Sequence, residues 1–253
     1  MKKKLVNFQL ISDNNKSTGH LYNATDNMKI LGVDTTTKFL SLGIYDDGKV
    51  YEYNLEADRR LASLLSVTIK RVLDALGWCV EDIDYFACGL GPGSFTGMRV
   101  GLATIKGMSW AKKKPAIGIS TLDVLASDVK VADASIVPII DAKRNLLYCS
   151  IYENKNGRLK RIKPYMLLTA EELFRKIKGN AVLLGDAAGL YRKKILMDIK
   201  GATILDRDYW YPKAHNIITL ALERIKDKKP KASSDIKPIY LYPRECQVKQ
   251  RQK

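Results

Sequence analysis

Gly91-Pro92-Gly93-Ser94-Phe95-Thr96-Gly97 stands between the apolar run Ile83–Leu90 and an apolar helical pattern that begins at Phe95. Three glycines and a proline within seven residues demand a tight turn with unusual backbone angles. Ser94 and Thr96 stand where a helix N-cap or first turn takes a hydroxyl. The stretch therefore predicts a strand, a glycine loop and a long helix, Phe95–Lys113, closed by Pro115.

Upstream of the loop, Ile30–Asp34 reads as a short buried strand and Phe39–Tyr45 as an alternating one. The turn Asp46-Asp47-Gly48 then leads into a third strand, Val50–Asn54. Leu61, Leu64, Leu65, Ile69, Val72, Leu73 and Leu76 recur at helical spacing, with Ser63, Lys70 and Asp74 opposite and Gly77 as the stop signal. Downstream, Ala116–Ser120 reads as a strand and Thr121–Ser127 as a short helix. Three strands, helix, strand, helix, strand is the order of a ribonuclease-H-like lobe of the actin-like ATPase superfamily.

The second half predicts strands at Ile136–Asp141, Leu146–Glu153 and Arg158–Met166, the last two joined by the turn Asn154–Gly157. Thr169 and Glu172 form a capping box for a helix to Lys178. Ala181–Leu184, a helix near Ala187–Leu196, Thr203–Leu205 and a helix from Pro212 to Lys226 complete it. The expected fold is a duplicated α/β one: two lobes, each a mixed sheet flanked by helices, at 29–130 and 131–253. Residues 1–28, rich in Asn, Asp, Ser and Lys, read as a polar, loosely ordered extension.

Composition excludes several classes. With 46% hydrophobic and 28% charged residues, the chain is not disordered as a whole. No apolar run approaches the roughly 20 residues of a membrane span, and the basic start is followed by no signal-peptide core, so a cytoplasmic protein is expected. Four cysteines without C-x-x-C spacing, and two histidines at 20 and 215, give no metal-site pattern; Cys88 and Cys149 read as small core residues. The net charge of +16 raises an anionic partner such as nucleic acid. Its cations are spread over Lys112–Lys114, Lys155–Lys163, Arg192–Lys194, Lys226–Lys231 and Lys249–Lys253, so a merely solvated basic surface competes with that reading.

Two clusters invite chemistry. Asp34, Thr35 and Thr36 end the first strand as a carboxylate and hydroxyls that orient magnesium and phosphate in an actin-like ATPase. Gly91, Gly93, Ser94 and Arg99 would add an anion cradle at a helix N-terminus. Against this, the loop lacks Gly-Lys-Ser/Thr and the spacing of a dinucleotide fingerprint, and it reads equally as a turn that permits close helix packing. Asp141, with Lys143 and Arg144, is a third polar cluster, but no base and nucleophile pair up.

The helix after the loop has another message. Gly97, Gly101, Thr104, Gly107 and Ala111 crowd one side, Met98, Leu102 and Ile105 lie beside them, and Arg99 and Lys106 mark a narrow polar line. Such a helix has two surfaces to bury. Leu61, Leu64, Leu65, Thr68 and Val72 on the neighbouring helix join Gly97, Met98, Gly101, Leu102 and Ile105 as a candidate partner surface; cover by the second lobe is the alternative.

Taken together, ILGVDTTT at Ile30–Thr37, GLGPGSFTGMRVGLATIKGMSW at Gly89–Trp110, IGISTLDVLA at Ile117–Ala126, PIIDAKRNLLYCSIY at Pro138–Tyr152 and PIYLYPRECQV at Pro238–Val248 closely resemble the bacterial TsaB (YeaZ) family. The resemblance implies a duplicated actin-like fold and a non-catalytic scaffold or activator. The modification concerned is N6-threonylcarbamoyladenosine beside the anticodon of tRNAs reading codons that start with A. It also implies a TsaD-like catalytic subunit as partner, self-dimerisation in its absence, a TsaE-like ATPase in the assembly, and tRNA met through the complex. ATP and a divalent metal are expected in those partners and none in this chain.

The catalytic paralogue holds its metal with a helix-borne H-x-x-x-H. Here Arg60-Leu61-Ala62-Ser63-Leu64 stands at that helix start. Asp141-Ala142-Lys143-Arg144 replaces the Asp-Ala-Arg-Arg of many relatives, keeping the charge without arginine's bidentate geometry. An ATP-dependent phosphotransferase working through Asp34 and the glycine loop is the second reading. A peptidase ranks below it for want of a nucleophile, base and metal set.

Overall fold

The computed structural model describes residues 9–11, 28–227 and 235–243. In chain order come β1 (Gln9–Ile11), β2 (Lys29–Asp34), β3 (Phe39–Asp46), β4 (Lys49–Glu56), α1 (Leu61–Leu76), β5 (Tyr85–Gly89), α2 (Phe95–Lys112), β6 (Ala116–Ile119) and α3 (Thr121–Ser127). Then follow β7 (Ser135–Lys143), β8 (Leu146–Cys149), β9 (Tyr152–Lys155), β10 (Arg158–Arg161), β11 (Met166–Leu168), α4 (Ala170–Phe174) and β12 (Ala181–Leu184). The chain continues with α5 (Asp186–Leu190), α6 (Arg192–Asp198), β13 (Ala202–Ile204) and α7 (Ala214–Lys226). The rest of the expected extension, His20, Cys246 and the basic tail 249–253 lie outside the described residues.

The described residues divide into two compact units, one drawn from Met1–Leu90, Ser94–Ser120 and Pro212–Pro238, the other from Gly91–Gly93, Thr121–Tyr211 and Ile239–Lys253. The first holds a sheet in the order β1-β4-β3-β2-β5-β6. β1 to β4 pair antiparallel with their neighbours, whereas β2, β5 and β6 run parallel, as the crossover helices α1 and α2 require. One sheet face supplies Leu31, Val33, Leu42 and Phe86 to a core shared with Leu65, Val72, Leu102 and Ile105 of α1 and α2. From β2 onward this is the order of three strands, helix, strand, helix, strand that the sequence predicts.

Two boundaries differ from the sequence reading. Residues 9–11 add an edge strand to β4, so the fold does not begin at Lys29. More consequentially, α7 belongs to the first unit, not to a second lobe running 131–253. It lies on the sheet where Gly32 and Gly43 pair in register. A Cβ on Gly32 would stand 3.0 Å from Ile218 Cδ1, and one on Gly43 would stand 3.0 Å from the Ala214 carbonyl oxygen. Two glycines facing each other across the strands let a helix approach the sheet closely. Glu52 of β4 secures the start of this helix: Oε1 accepts from the Ala214 N–H at 2.7 Å, and Oε2 lies 2.7 Å from His215 Nδ1.

The second unit repeats the plan in reduced form. β7, β12 and β13 are parallel, with β9 and β10 antiparallel at the other side, and β8 pairs with β7 and β11. The expected strand Leu146–Glu153 breaks between β8 and β9, where Ser150 Oγ donates to the Lys163 carbonyl at 2.7 Å and the N–H groups of Ile162 and Lys163 both donate to the Ile151 carbonyl. Arg158–Met166 likewise splits at Pro164, which lacks a backbone donor for the ladder. The helix expected to reach Lys178 stops at Phe174, although its Thr169–Glu172 capping box is present. The one expected near Ala187–Leu196 divides at Tyr191 into α5 and α6. Cys88 and Cys149 are buried, and burial pushes both thiols up to about 12, so they serve as core side chains.

Candidate functional site

β2 ends at Asp34, whose side chain is only 1% exposed. Oδ1 accepts from the Thr36 N–H at 2.7 Å and from Thr36 Oγ1 at 2.8 Å. Oδ2 has no hydrogen-bond partner among the described residues and lies over Gly89, where any Cβ would overlap it. Burial pushes this carboxyl up to about 6 even though both Thr36 hydrogen bonds pull it down.

Thr35 meets the start of α2. Its Oγ1 donates to the Gly97 carbonyl at 2.7 Å. A Cβ on Gly97 would overlap the Thr35 carbonyl oxygen, and one on Gly101 would overlap its hydroxyl. The Ser94 N–H donates to the Thr36 carbonyl at 2.7 Å, while Ser94 Oγ accepts from the Gly97 N–H at 3.2 Å and caps the helix. The acidic strand end and the glycine loop, distant in sequence, are one interlocked joint.

These residues do not fit a magnesium and phosphate cradle. Thr35 and Thr36 spend their hydroxyls within the joint, and the Ser94, Gly97 and Met98 N–H groups are taken by the Thr36 carbonyl, Ser94 Oγ and the Ser94 carbonyl. Asp34 keeps one oxygen on Thr36 and the other against Gly89. Arg99 stacks on the Phe95 ring at 3.7 Å. Gly91, at φ 88°, supplies the left-handed turn, and its carbonyl accepts from the Thr121 N–H at 2.8 Å. Gly93 is half-buried in the same turn.

The candidate partner surface also changes its residues. Leu61, Leu65, Thr68 and Val72 of α1, and Gly97, Met98, Gly101, Leu102 and Ile105 of α2, are buried, and Leu64 is half-buried. The core of their own unit accounts for the apolar stripe. What α2 leaves to solvent is Phe95, Thr96, Arg99, Ala103, Gly107, Trp110 and Ala111, with Trp110 at 78% exposure, while α1 exposes Val67. The spacing of Ala103, Gly107 and Ala111 at every fourth residue carries this second, small-residue face, and a helical wheel that starts the stripe at Gly97 mixes the two faces.

In the second unit Asp141 N–H donates to Asp186 Oδ1 at 3.0 Å, and Asp141 accepts from Lys143 through N–H at 2.8 Å and Nζ at 2.5 Å. Lys143, Arg144 and Asn145 all take positive φ, at 64°, 55° and 58°. Burial raises the Asp186 carboxyl above the ordinary aspartate range. Asp34 and Asp141 thus belong to separate units, each closed by its own neighbours. Among the described residues no three His, Cys, Asp or Glu side chains gather closely enough to hold a metal ion, and no helix is long and apolar enough to cross a membrane.

Residues 55–199 match the model of the family described as TsaD: tRNA N6-adenosine threonylcarbamoyltransferase. The tRNA threonylcarbamoyladenosine biosynthesis protein TsaB of Escherichia coli is 27% identical over 220 residues, covering 85% of this chain and 94% of that protein. Its Bacillus subtilis counterpart is 28% identical over 178 residues, 69% of this chain and 77% of that one. Among solved structures, YeaZ from Pseudomonas aeruginosa superposes with a TM-score of 0.74 at 22% identity, over 85% of this chain and all of the other. The two chains share a fold.

Proposed function

This chain belongs to the TsaD family, within its TsaB (YeaZ) branch, and we propose that it is a non-catalytic scaffold and activator of N6-threonylcarbamoyladenosine formation on tRNA. The observation that carries the scaffold reading is the closed joint between Asp34–Thr36 and Ser94–Gly101. At the place where an actin-like enzyme meets a nucleotide, the hydroxyls of Thr35 and Thr36 and the N–H groups of Ser94, Gly97 and Met98 already have internal partners. The loop therefore works as a rigid launch point for α2 rather than as a phosphate cradle.

In this reading the chain acts in the cytoplasm beside a TsaD-like catalytic subunit, with a TsaE-like ATPase joining them. Those subunits bring the ATP and the divalent metal. The solvent face of α2, from Phe95 to Trp110, with Val67 of α1, is the surface that meets the catalytic subunit, or a second copy when that subunit is missing. Exposed aromatic anchors flanking small residues suit a helix-on-helix contact.

Reconstitution from purified subunits tests the proposal. Threonylcarbamoylation of tRNA is expected to fall to background when this chain alone is omitted and to return on its addition. Full modification without it, or threonylcarbamoyl transfer by the isolated chain, overturns the role. Binding of magnesium-ATP by the isolated chain in calorimetry would favour the phosphotransferase reading instead.

A further inference from the structure

The sheet of the second unit ends on a hairpin with a strongly cationic outer face. β9 and β10 are joined by Asn156-Gly157, both at positive φ, 53° and 73°, the two-residue turn that matches the twist of paired strands. The register sets Lys155 opposite Arg158 and Glu153 opposite Lys160. Residues opposite one another share a face, as do residues two apart, so these four side chains stand together.

The other face pins the hairpin to its unit. Tyr152 is buried and donates its hydroxyl to Asp123 at 2.7 Å, and Asn154 Nδ2 donates to the carbonyls of Val129 and Val131 at 3.1 and 3.0 Å. Leu159 packs into the apolar cluster there, and Arg161 stacks on Tyr165 at 4.1 Å. Arg158, Lys160 and Lys163 remain exposed. The one acid on the outer face, Glu153, lies 3.2 Å from Lys155. The segment beneath carries both signs, in Asp128, Lys130 and Asp133.

Lysine on an edge strand also discourages edge-to-edge pairing, a role that one or two charges fill. Here the outer face holds three cations, Lys155, Arg158 and Lys160, against a single carboxylate, with Lys163 exposed just beyond β10, on a hairpin whose inner face fixes its position. A preorganised row of exposed cations on a chain of net charge +16 suits a polyanion. We propose that the outer face of the β9–β10 hairpin binds the phosphate backbone of tRNA directly. The identity of the polyanion rests on the function proposed above.

The test is the anisotropy of labelled tRNA titrated with the full chain across an about fourfold span of salt, from about 50 to 200 mM. Arg158→Gln/Lys160→Gln is compared with Arg192→Gln/Lys193→Gln, an equal charge loss on α6. The hairpin variant is expected to bind about tenfold more weakly, with a salt slope shallower by about 1.5, as loss of two phosphate contacts implies. The α6 variant should stay within about twofold of wild type, since its charges lie off the proposed contact. Unchanged binding by the hairpin variant, an equal loss in both variants, or no binding by wild type overturns the proposal. If modification still depends on this chain in reconstitution, those results sink the hairpin contact alone; if it does not, the scaffold role fails independently.

Discussion

His215 Nδ1 lies 2.7 Å from Glu52 Oε2, joining α7 to β4 across 163 positions of sequence. Burial alone would raise the Glu52 carboxyl, but the hydrogen bond and charge of His215, with donors from Asn54 and Ala214, outweigh it and hold the group below its ordinary value of 4.5. A carboxylate so depressed contributes stability that is present above its unfolded value and is lost as pH falls through the folded one. The urea midpoint should therefore drop as pH is lowered below about 4.5. Glu52→Gln should flatten that drop and cost about 1–3 kcal/mol at neutral pH.

Asp34 carries the opposite sign. Its buried carboxyl is raised from 3.8 to about 6, so stability associated with the protonated form is fully present below the unfolded value and is lost as pH rises through 6. Over that window the loss is about 3 kcal/mol. Chemical denaturation at about pH 4.5, 5.5, 6.5 and 7.5 should show stability declining toward neutrality and levelling off above the folded value. Asp34→Asn should remove the decline; a variant with the wild-type profile refutes the assignment.

Glycines of α2 should respond to alanine in opposite ways. At Gly97 the new methyl meets the Thr35 backbone, which has little room to yield, whereas at Gly107 nothing lies within 4 Å. Gly97→Ala is expected to destabilise by about 3 kcal/mol or prevent folding. Gly107→Ala should stabilise by roughly 0.5–1 kcal/mol through helix propensity. Thermal melts of the two variants give the comparison.

The solvent face of α2 offers a test of partner binding that spares the core. Trp110→Ala and Gly107→Arg change exposed positions and should leave the melting temperature within a few degrees. Each is expected to weaken co-purification with the catalytic subunit at least about tenfold, as loss of an interface anchor does. Retained association by both folded variants removes this face from the interface.

The glycine loop shows how much was legible. Its composition announced a strand, a turn and a capped helix, and the structure has them at Tyr85–Gly89, Gly91–Gly93 and Phe95–Lys112, with Ser94 as the cap. In sequence the loop's likeness to an anion cradle stands level with its reading as a packing turn, because a sequence lists donors without saying who accepts from them. Thr35 and Gly97 lie 62 positions apart, and their contact exists only once β2 and α2 are packed. The partner surface was misassigned for a related reason. Helical periodicity identified the residues that must be buried, and the unit's own sheet turned out to bury them.

Local chemistry within the sequence determined the element order and the lobe type, because turn residues, caps and apolar periodicity act over a few neighbouring positions. The family likewise was written in contiguous motifs. Only the tertiary structure decided that α7 returns to the first sheet, that Asp34 faces Gly89 rather than solvent, and which stripe of α2 stays exposed. Those outcomes depend on which surfaces meet, and burial of one face against another is a property of the packed chain, with no local signal to announce it.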